Sequence, residues 1–268
     1  MSEKVTVLIP SYNPGRYLRH ALKSVFQQTY SEWKVILVDD ASTDGSLHGV
    51  KYFTGFPQVK VLKNQKNLGQ SKSLNIGLEK VDTPYTVQLD SDDWFPPHAL
   101  ERLVKEAEEL PRDVGVVHGN MRIVVEESST SSPELSSSLI KKGRQYEDRL
   151  DFLMSNSSVW PRFYHSSALR DIGGWPTDDP YEGRYLEDKR ILFRMIEDYR
   201  FHWVDEVLYV HRRHDYNQTD NKMEIYRYMT EWNVRDTLKR WGDNCEPVFE
   251  IHDNGWKYLI DLVEPSQE

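Results

Sequence analysis

Two spacings of apolar side chains alternate along the first 110 residues of the chain. Short runs of β-branched and other apolar residues, each closed by a polar or turn-forming residue, predict strands. They cover residues 4–10, 33–40, 58–64 and 84–90. The segments that follow them place apolar residues three or four positions apart, which predicts helices. These cover residues 15–28, 43–53, 67–81 and 97–110, the third beginning as a loop.

Strand and helix therefore alternate four times, and this order predicts an α/β fold. We expect a Rossmann-like, mostly parallel central sheet with helices on both faces, because parallel neighbours need a crossover between them. Ligands of such sheets bind at the carboxyl ends of the strands. The residues that follow each strand are therefore the first candidates for a binding site.

The second half of the chain is less regular. Residues 115–127 predict one or two further strands, and residues 201–213 predict another. The serine-rich residues 128–138 predict a mobile loop, which is either a lid over a ligand or a surface insertion. Helical spacing covers residues 148–156, 167–176, 186–199 and 225–241, so that the chain is expected to end in helices.

Three carboxylates follow the fourth predicted strand in the segment VQLDSDDWFPP, residues 87–97. In an extended chain Asp90 and Asp92 point to the same side, because they are two positions apart. Such a pair can bind a hard divalent cation, Mg²⁺ or Mn²⁺, that keeps open positions for phosphate oxygens. A solvated acidic turn, or a helix N-cap ahead of the prolines, would also explain these acids together with Asp93.

A second pair of acids, Asp39 and Asp40, ends the second predicted strand. Parallel strands end at one edge of a sheet, so both acidic segments should face the same crevice. An aspartate in this place can accept a hydrogen bond from the N–H of a pyrimidine base. It can also close an Asx-turn in the segment DDASTDG, which is rich in turn-forming residues. The two roles are compatible, one for each aspartate.

Composition narrows the possible functions. The 268 residues carry a formal net charge of −9, so a broad basic surface for nucleic acid is not expected. Cys245 is the single cysteine, which excludes an internal disulfide and a cysteine-based zinc site and fits a reducing compartment. No apolar run approaches the roughly 20 residues that span a bilayer. We therefore expect a cytoplasmic protein without a transmembrane segment, and attachment to a membrane surface through a partner stays open.

Several motifs, in order, make the chain similar to a known family. Residues 5–46, which include VTVLIPSYNPGR and VILVDDASTDGS, resemble the opening of the family 2 glycosyltransferases. Residues 67–104, from NLGQSK through the D-x-D acids of LDSDD, resemble the continuation of that family. DIGGWP followed by YLEDKRILFR resembles the glycine turn and the Glu-Asp motif of its acceptor half. The match covers about the first 110 residues closely and about residues 160 to 215 more loosely.

This resemblance implies a GT-A fold, a nucleotide-sugar donor, Mn²⁺ or Mg²⁺ as cofactor, and inversion at the anomeric carbon. It also implies a nucleotide-sugar-binding half over residues 1–110. Residues 111–268 would then form the acceptor-binding half and a C-terminal helical segment, within one continuous domain.

For the donor, the resemblance implies that Pro10 and Tyr12 line the pocket of the base, with Tyr12 able to stack on the ring. Asp40 is then the partner of the base N–H. Asp39 supports the ribose or the turn, and Asp90 contacts the ribose or a water on the metal.

The resemblance also makes Asp92 the metal ligand, while Asp93 orients the loop or meets the transferred sugar. His214, in the segment YVHRRHDYNQTD, joins the metal or neutralises the leaving group with the arginines before it. A polar strand end explains His214 equally well. Lys72 is a candidate phosphate contact, and a solvated lysine fits the same place.

Glu187 and Asp188 match the family's Glu-Asp motif. Inverting transfer needs a base across the sugar from the leaving diphosphate, so that base cannot belong to the metal-binding acids. We expect Asp188 to be the base and Glu187 to orient it or the acceptor. The alternative is that both acids only favour a helix N-terminus. Trp160 and Trp175 are the acceptor-side aromatics, which either stack on a sugar or belong to the core.

The expected function is therefore sugar transfer from a nucleotide-sugar, with a UDP-sugar favoured, as in polysaccharide biosynthesis. The acceptor is a glycan, a lipid-linked molecule or a protein. A nucleotidyltransferase of similar architecture would need a phosphate loop rich in glycine and basic residues, and SYNPGRYLRH has little of that character. A non-catalytic nucleotide-sugar-binding module would be favoured by loss of the Glu-Asp pair, which is present. The sequence leaves open the sugar, the linkage and the oligomeric state.

Overall fold

Residues 3–126, 135–214 and 222–264 are described by the structure, which is a computed structural model of the chain. Within these ranges the strands are β1 Val5–Ser11, β2 Trp33–Asp39, β3 Val59–Lys63, β4 Tyr85–Gln88, β5 Val114–Glu126, β6 Leu135–Lys141, β7 Arg162–His165, β8 Arg200–Arg213, β9 Glu246–Ile251 and β10 Lys257–Val263. The helices are α1 Tyr17–Phe26, α2 Ser46–Gly49, α3 Lys51–Thr54, α4 Gln70–Leu78, α5 Ala99–Glu109, α6 Arg149–Met154, α7 Ser166–Asp171, α8 Glu187–Asp198 and α9 Met223–Trp241. Each strand and helix predicted for the first 110 residues forms, the second helix as the neighbouring pair α2 and α3.

Eight of the described strands form one sheet in the order β3-β2-β1-β4-β7-β5-β6, and β8 pairs with β5. The pairs among β1, β2, β3 and β4 are parallel, as is the pair of β5 and β8. β7 runs antiparallel to β4 and β5, and β6 runs antiparallel to β5. The predicted α/β fold with a mostly parallel sheet is confirmed. Because β7 lies between β4 and β5, one sheet runs through both halves of the chain.

Both faces of this sheet are buried, since successive side chains of a strand point to opposite sides. Val7 and Ile9 of β1 belong to one core, together with Leu22 of α1 and residues of α5. Leu8 belongs to a second core, together with Leu74 of α4 and residues of α8. Helices therefore cover both faces, as predicted. Burying each large apolar side chain contributes about 1.5–3 kcal/mol, so the two cores fix where the strands end.

The serine-rich stretch differs from its prediction. Leu135 begins β6, so residues 135–138 form part of a strand rather than a mobile loop. Serine is a weak strand former, so the residue pattern does not predict this strand. Backbone pairing with β5 stabilises it instead. Residues 128–134, and with them the question of a lid, lie outside the described residues. β7 was not predicted either, because four residues are too few for a periodic pattern.

A hairpin follows α9, where the residue pattern predicted the last helix. β9 and β10 pair antiparallel, and the connection between them contains Asn254 and Gly255, the latter with a φ of +81°. The side-chain amide of Asn156 donates to the carbonyl of Leu259 at 2.8 Å and accepts from its N–H at 2.8 Å. The expected C-terminal helices are therefore one long helix and two strands. Among the described residues, no helix is long and apolar enough to cross a membrane.

Candidate active site

A cleft of ≈ 1400 Å³ opens where β1, β2 and β4 end. Its walls come from both halves of the chain, because the parallel strands deliver their last residues to one edge and later segments close over them. The predicted site residues in its lining are Pro10, Tyr12, Asp40, Asp90, Asp92, Asp93, Trp160, Glu187, Asp188 and His214. The structure thus brings most of the predicted residues into one cavity.

Tyr12 and Asp40 form one end of this cleft. The Tyr12 side chain is 47% exposed, which leaves a ring face open to a ligand. Asp40 is buried and accepts hydrogen bonds from Leu68 N–H, Gly69 N–H and the Asn64 side-chain amide, each at 2.8 Å. A carboxylate has about four acceptor positions. One position on Oδ2 of Asp40 is therefore left after these three bonds, so Asp40 both anchors the neighbouring loop and can accept from a ligand.

Three predicted residues do not line the cleft within the part of the chain that the structure describes. Asp39 is buried and accepts from the Ser42 N–H at 3.2 Å, which is the Asx-turn alternative. Lys72 forms an ion pair with Glu182. Trp175 is 1% exposed and packs in the core. The prediction that Trp175 contacts the acceptor is wrong, because a side chain enclosed on all sides cannot stack on a sugar.

Asp93 is the most buried of the three acids after β4 and is held by three donors. It accepts from the Tyr209 hydroxyl at 2.8 Å, the Arg212 N–H at 2.8 Å and the His211 Nδ1 at 3.1 Å. Burial and the neighbouring Asp92 raise the pKa of Asp93 to about 6. Burial lowers the pKa of His211, but the adjacent carboxylates outweigh it and the net pKa is raised. Asp93 therefore ties the acidic loop to β8 rather than facing a ligand alone.

Asp92 and His214 are brought together, as the resemblance implies. His214 Nε2 lies 3.2 Å from Asp92 Oδ2, and the Tyr17 ring stacks on the imidazole with ring centroids 4.6 Å apart. In residues 3–126, 135–214 and 222–264, no three acidic, histidine or cysteine side chains are arranged to hold a metal. An ion at this place would have the Asp92 carboxylate and the His214 imidazole as ligands and would need donor oxygens and water for its remaining positions.

Arg162 links the acids after β4 to the Glu-Asp motif. Its guanidinium is buried, with NH2 3.1 Å from Asp90 Oδ2 and NH1 3.6 Å from Asp188 Oδ2. It also lies over the ring of Trp160, 5.7 Å from the centroid. A buried guanidinium needs such carboxylate partners to offset its desolvation. Sequence reasoning missed Arg162, although a charged residue within the aromatic segment VWPRFY marks it.

Glu187 and Asp188 open α8 at the far side of Arg162. Burial and the neighbouring Asp188 carboxylate raise the pKa of Glu187 to about 8. The side chain of Asp188 is 19% exposed and faces the cleft. The two carboxyl groups of the Glu-Asp motif therefore stand side by side at the start of α8, next to Arg162.

The hairpin after α9 also reaches the cleft, and the sequence reasoning missed it. Asn254, Trp256, Lys257 and Tyr258 belong to the lining. The dipeptide Asn254–Gly255 between two short apolar runs is the strongest short-range signal for a hairpin, so the element could have been found from the sequence.

The profile described as Glycosyl transferase family 2 matches residues 6–173 of the chain. Glycosyltransferase GlyA of Streptococcus pneumoniae is 35% identical over 116 residues, which are 43% of this chain and 17% of GlyA. An uncharacterized glycosyltransferase of Nostoc is 35% identical over 164 residues, which are 59% of this chain and 47% of that protein. The matched part of the chain spans less than half the length of these curated relatives.

Two solved structures share the fold. S. aureus TarS 1-349 in complex with UDP-GlcNAc superposes with a TM-score of 0.66 at 19% identity, over 88% of this chain and 72% of that chain. The mannosyltransferase PcManGT from Pyrobaculum calidifontis, solved with GDP-Man and Mn²⁺, has a TM-score of 0.63 at 19% identity, over 90% of this chain and 65% of that chain. At these identities the likeness shows the fold alone, which is the GT-A fold.

Proposed function

The chain belongs to glycosyl transferase family 2, and on that premise we propose that it transfers a sugar from a nucleotide-sugar to an acceptor hydroxyl with inversion. The observation that supports this most is the layout of the cleft. One cleft brings together the base-binding candidates, the acids after β4 and the Glu-Asp motif, and Arg162 joins Asp90 to Asp188. Inverting transfer needs a base that is separate from the groups that bind the leaving diphosphate, and the cleft offers Asp188 in addition to the acids after β4.

We place the base of the donor against Tyr12 and Asp40. The exposed Tyr12 ring offers a stacking surface. The remaining acceptor position of Asp40 fits the N–H of a uracil ring, and the TarS complex with UDP-GlcNAc supports a UDP-sugar as the first donor to test. Asp90, held by Arg162 at 3.1 Å, is then in place to contact the ribose.

Asp92 and His214 would hold a divalent ion, Mn²⁺ or Mg²⁺, in this proposal. Carboxylate and imidazole are suitable ligands for Mn²⁺, and the PcManGT complex contains that ion. Such an ion, when bound, stabilises the negative charge of the departing diphosphate.

Asp188 is the proposed base. Its carboxylate accepts the proton of the acceptor hydroxyl while that oxygen bonds to the anomeric carbon, and the bond from that carbon to the diphosphate breaks. Arg162 orients Asp188 from behind at 3.6 Å. Burial and Asp188 raise the pKa of Glu187, and in its protonated form Glu187 would donate a hydrogen bond to the acceptor or to its neighbour without competing for the proton being moved.

The test of this function is Asp188→Asn, because it keeps the shape of the side chain and removes the base. We expect sugar turnover to fall by roughly 10² to 10⁴, with UDP affinity and melting temperature close to those of the parent. Asp198→Asn, at the exposed opposite end of α8, is the matched control and should keep turnover. Transfer by Asp188→Asn at near-parental rates would remove Asp188 from the mechanism.

The donor is found by a thermal-shift screen of UDP-, GDP- and dTDP-sugars with Mn²⁺, followed by an assay of donor hydrolysis without acceptor. Hydrolysis separates an enzyme from a non-catalytic binding module of the same fold. If no nucleotide-sugar is bound or hydrolysed, the proposed function fails as a whole.

A further inference from the structure

Two lysines of the cleft stand beside Asp188 without an acidic partner. Lys141 and Lys189 both belong to the lining, and neither forms an ion pair with any Asp or Glu in the ranges that the structure describes. The Nζ of Lys141 instead lies over the ring of Trp160, 5.3 Å from the centroid. Asp188 does not fully compensate the charge of the two lysines, because its Oδ2 already lies 3.6 Å from NH1 of Arg162.

Other basic side chains of the same lining have partners. Lys257 pairs with Glu231 at 2.6 Å, and Lys222 donates to the Tyr185 hydroxyl at 3.1 Å. Within the described residues Lys257 therefore has a carboxylate partner and Lys222 a hydroxyl acceptor, whereas Lys141 and Lys189 form neither kind of contact.

Three basic side chains gather near Asp188, although the chain as a whole is acidic at −9. Burial lowers the pKa of Lys189 and of Lys141, and the nearby Asp188 carboxylate opposes this lowering only partly. The basic side chains at this end are Arg162, Lys141 and Lys189, and the acidic ones are Asp90, Glu187 and Asp188. Arg162 contacts Asp90 and Asp188, whereas the two lysines form no ion pair within the described residues. A site that gathers uncompensated cations next to the proposed base is suited to an anionic ligand.

A side cavity of ≈ 110 Å³ continues from this end of the cleft, and Lys141, Ser158 and Trp160 line both spaces. It also contacts His118, which is fully buried. The Ser158 hydroxyl and both ring nitrogens of His118 have no hydrogen-bond partner within the described part of the chain. Buried polar groups are normally paired. The cavity therefore combines a cation with unsatisfied polar groups, in a volume equal to that of about three or four waters.

We propose that the acceptor carries an anionic group, a phosphate or a carboxylate, which Lys141 and Lys189 bind next to Asp188, with the side cavity receiving its oxygens. The proposal rests on the proposed function, because it names the class of acceptor for the same site. Both lysines belong to the part of the cleft that holds Asp188, where the acceptor is expected. Lys189 follows Asp188 directly in α8, and Lys141 lies over the ring of Trp160, which Arg162 also contacts. Ser158 supplies a hydroxyl donor to the same group.

Glucose 6-phosphate, glucuronate and glucose are suitable probes, because they share a ring and differ at one carbon by a phosphate, a carboxylate or a hydroxymethyl group. Each is titrated calorimetrically into the protein, with and without UDP and Mn²⁺. We expect at least one anionic sugar to bind about tenfold or more tightly than glucose, the effect of one charged hydrogen bond. The anion that gains more identifies the source of the charge in the natural acceptor.

Lys141→Met and Lys189→Met should each weaken binding of the preferred anionic sugar by about tenfold and leave binding of glucose unchanged. Lys105→Met is the matched control, because it makes the same charge change on the exposed side of α5. It should bind all three sugars as the parent does.

Equal affinity of the parent for all three sugars would overturn the proposal. So would a loss of UDP affinity in the lysine variants as large as the loss for the anionic sugar, since the lysines would then serve the donor. Failure of UDP to bind the parent would instead contradict the proposed function, and the titrations without UDP would still decide whether the anion site exists.

Discussion

Asp40 accepts three hydrogen bonds from the chain between Asn64 and Gly69 and still faces the cleft. The same carboxylate therefore serves the fold and the proposed donor. A change at Asp40 should lower stability and nucleotide affinity together, whereas a residue that binds ligand alone would affect affinity only.

Asp40→Asn should weaken binding of UMP and UDP to the same extent, by about tenfold or more, because an amide cannot offer the charged acceptor that the base N–H needs. Calorimetric titration of both nucleotides measures this. Asp82→Asn, an exposed aspartate paired with Lys34, controls for the lost charge. Unchanged affinity for UMP would leave Asp40 as a loop anchor only.

Glu187 makes stability depend on pH. Its pKa is raised from 4.5 to about 8 in the folded chain, so between these values the folded state holds a proton that the unfolded state has lost. The free energy of unfolding contributed by this group therefore falls as pH rises from about 4.5 to 8, and each unit of difference in pKa corresponds to about 1.4 kcal/mol.

Glu187→Gln cannot titrate and should remove this dependence. Denaturation of parent and variant at pH 5 and pH 8 measures it: relative to the parent, the variant should be more stable at pH 8 than at pH 5. Glu79→Gln, at the exposed end of α4, should show the parental dependence. A difference between parent and Glu187→Gln that does not change with pH would mean that Glu187 is ionised at neutral pH.

At the scale of elements, the close approach of α4 to the sheet depends on a glycine. A Cβ on Gly77 would lie 2.2 Å from Leu8 Cδ1 and 3.1 Å from Val38 Cγ2, whereas a Cβ on Gly49 of α2 would meet nothing within 4 Å. Gly77 therefore lets the helix lie directly on β1 and β2, the strands whose ends carry Tyr12 and Asp40.

Gly77→Ala should destabilise the protein by about 1–3 kcal/mol, the usual effect of overpacking a core. Gly49→Ala, with open space around it, should be neutral or slightly stabilising, because alanine favours the helix. Urea denaturation of the two variants makes the comparison. Equal stability of the two would show that α4 can shift away from β1 without loss.

The elements that the sequence predicted are those whose patterns are local. β1, β2 and β4 are continuous apolar runs because both faces of the sheet are covered, and their following acids were readable for that reason. β6 and β7 could not be predicted from the sequence, because these strands are stabilised by pairing with β5 and their own residues carry no clear strand pattern. The burial of Trp175 and the position of Arg162 were likewise set by distant segments, and no spacing along the chain reports such contacts.

At the scale of the whole molecule, donor binding should stabilise both halves, because they share one sheet and one cleft. We expect UDP with Mn²⁺ at 100 times its dissociation constant to stabilise the folded state by about 2.7 kcal/mol. The stabilisation should be smaller in EDTA, and Asp92→Asn should reduce the difference between Mn²⁺ and EDTA. The same stabilisation in parent and variant under both conditions would show that Asp92 does not take part in metal-dependent binding.

β7 has a consequence for how enzymes of this kind can be recombined. It pairs with β4 on one side and β5 on the other, and its first residue, Arg162, contacts Asp90 of one half and Asp188 of the other. A chimera that exchanges acceptor halves between relatives therefore cannot treat the two halves as independent cassettes. The grafted half must bring an arginine that can pair with the host's Asp90, because otherwise the residue equivalent to Asp188 would lack the guanidinium that lies beside it.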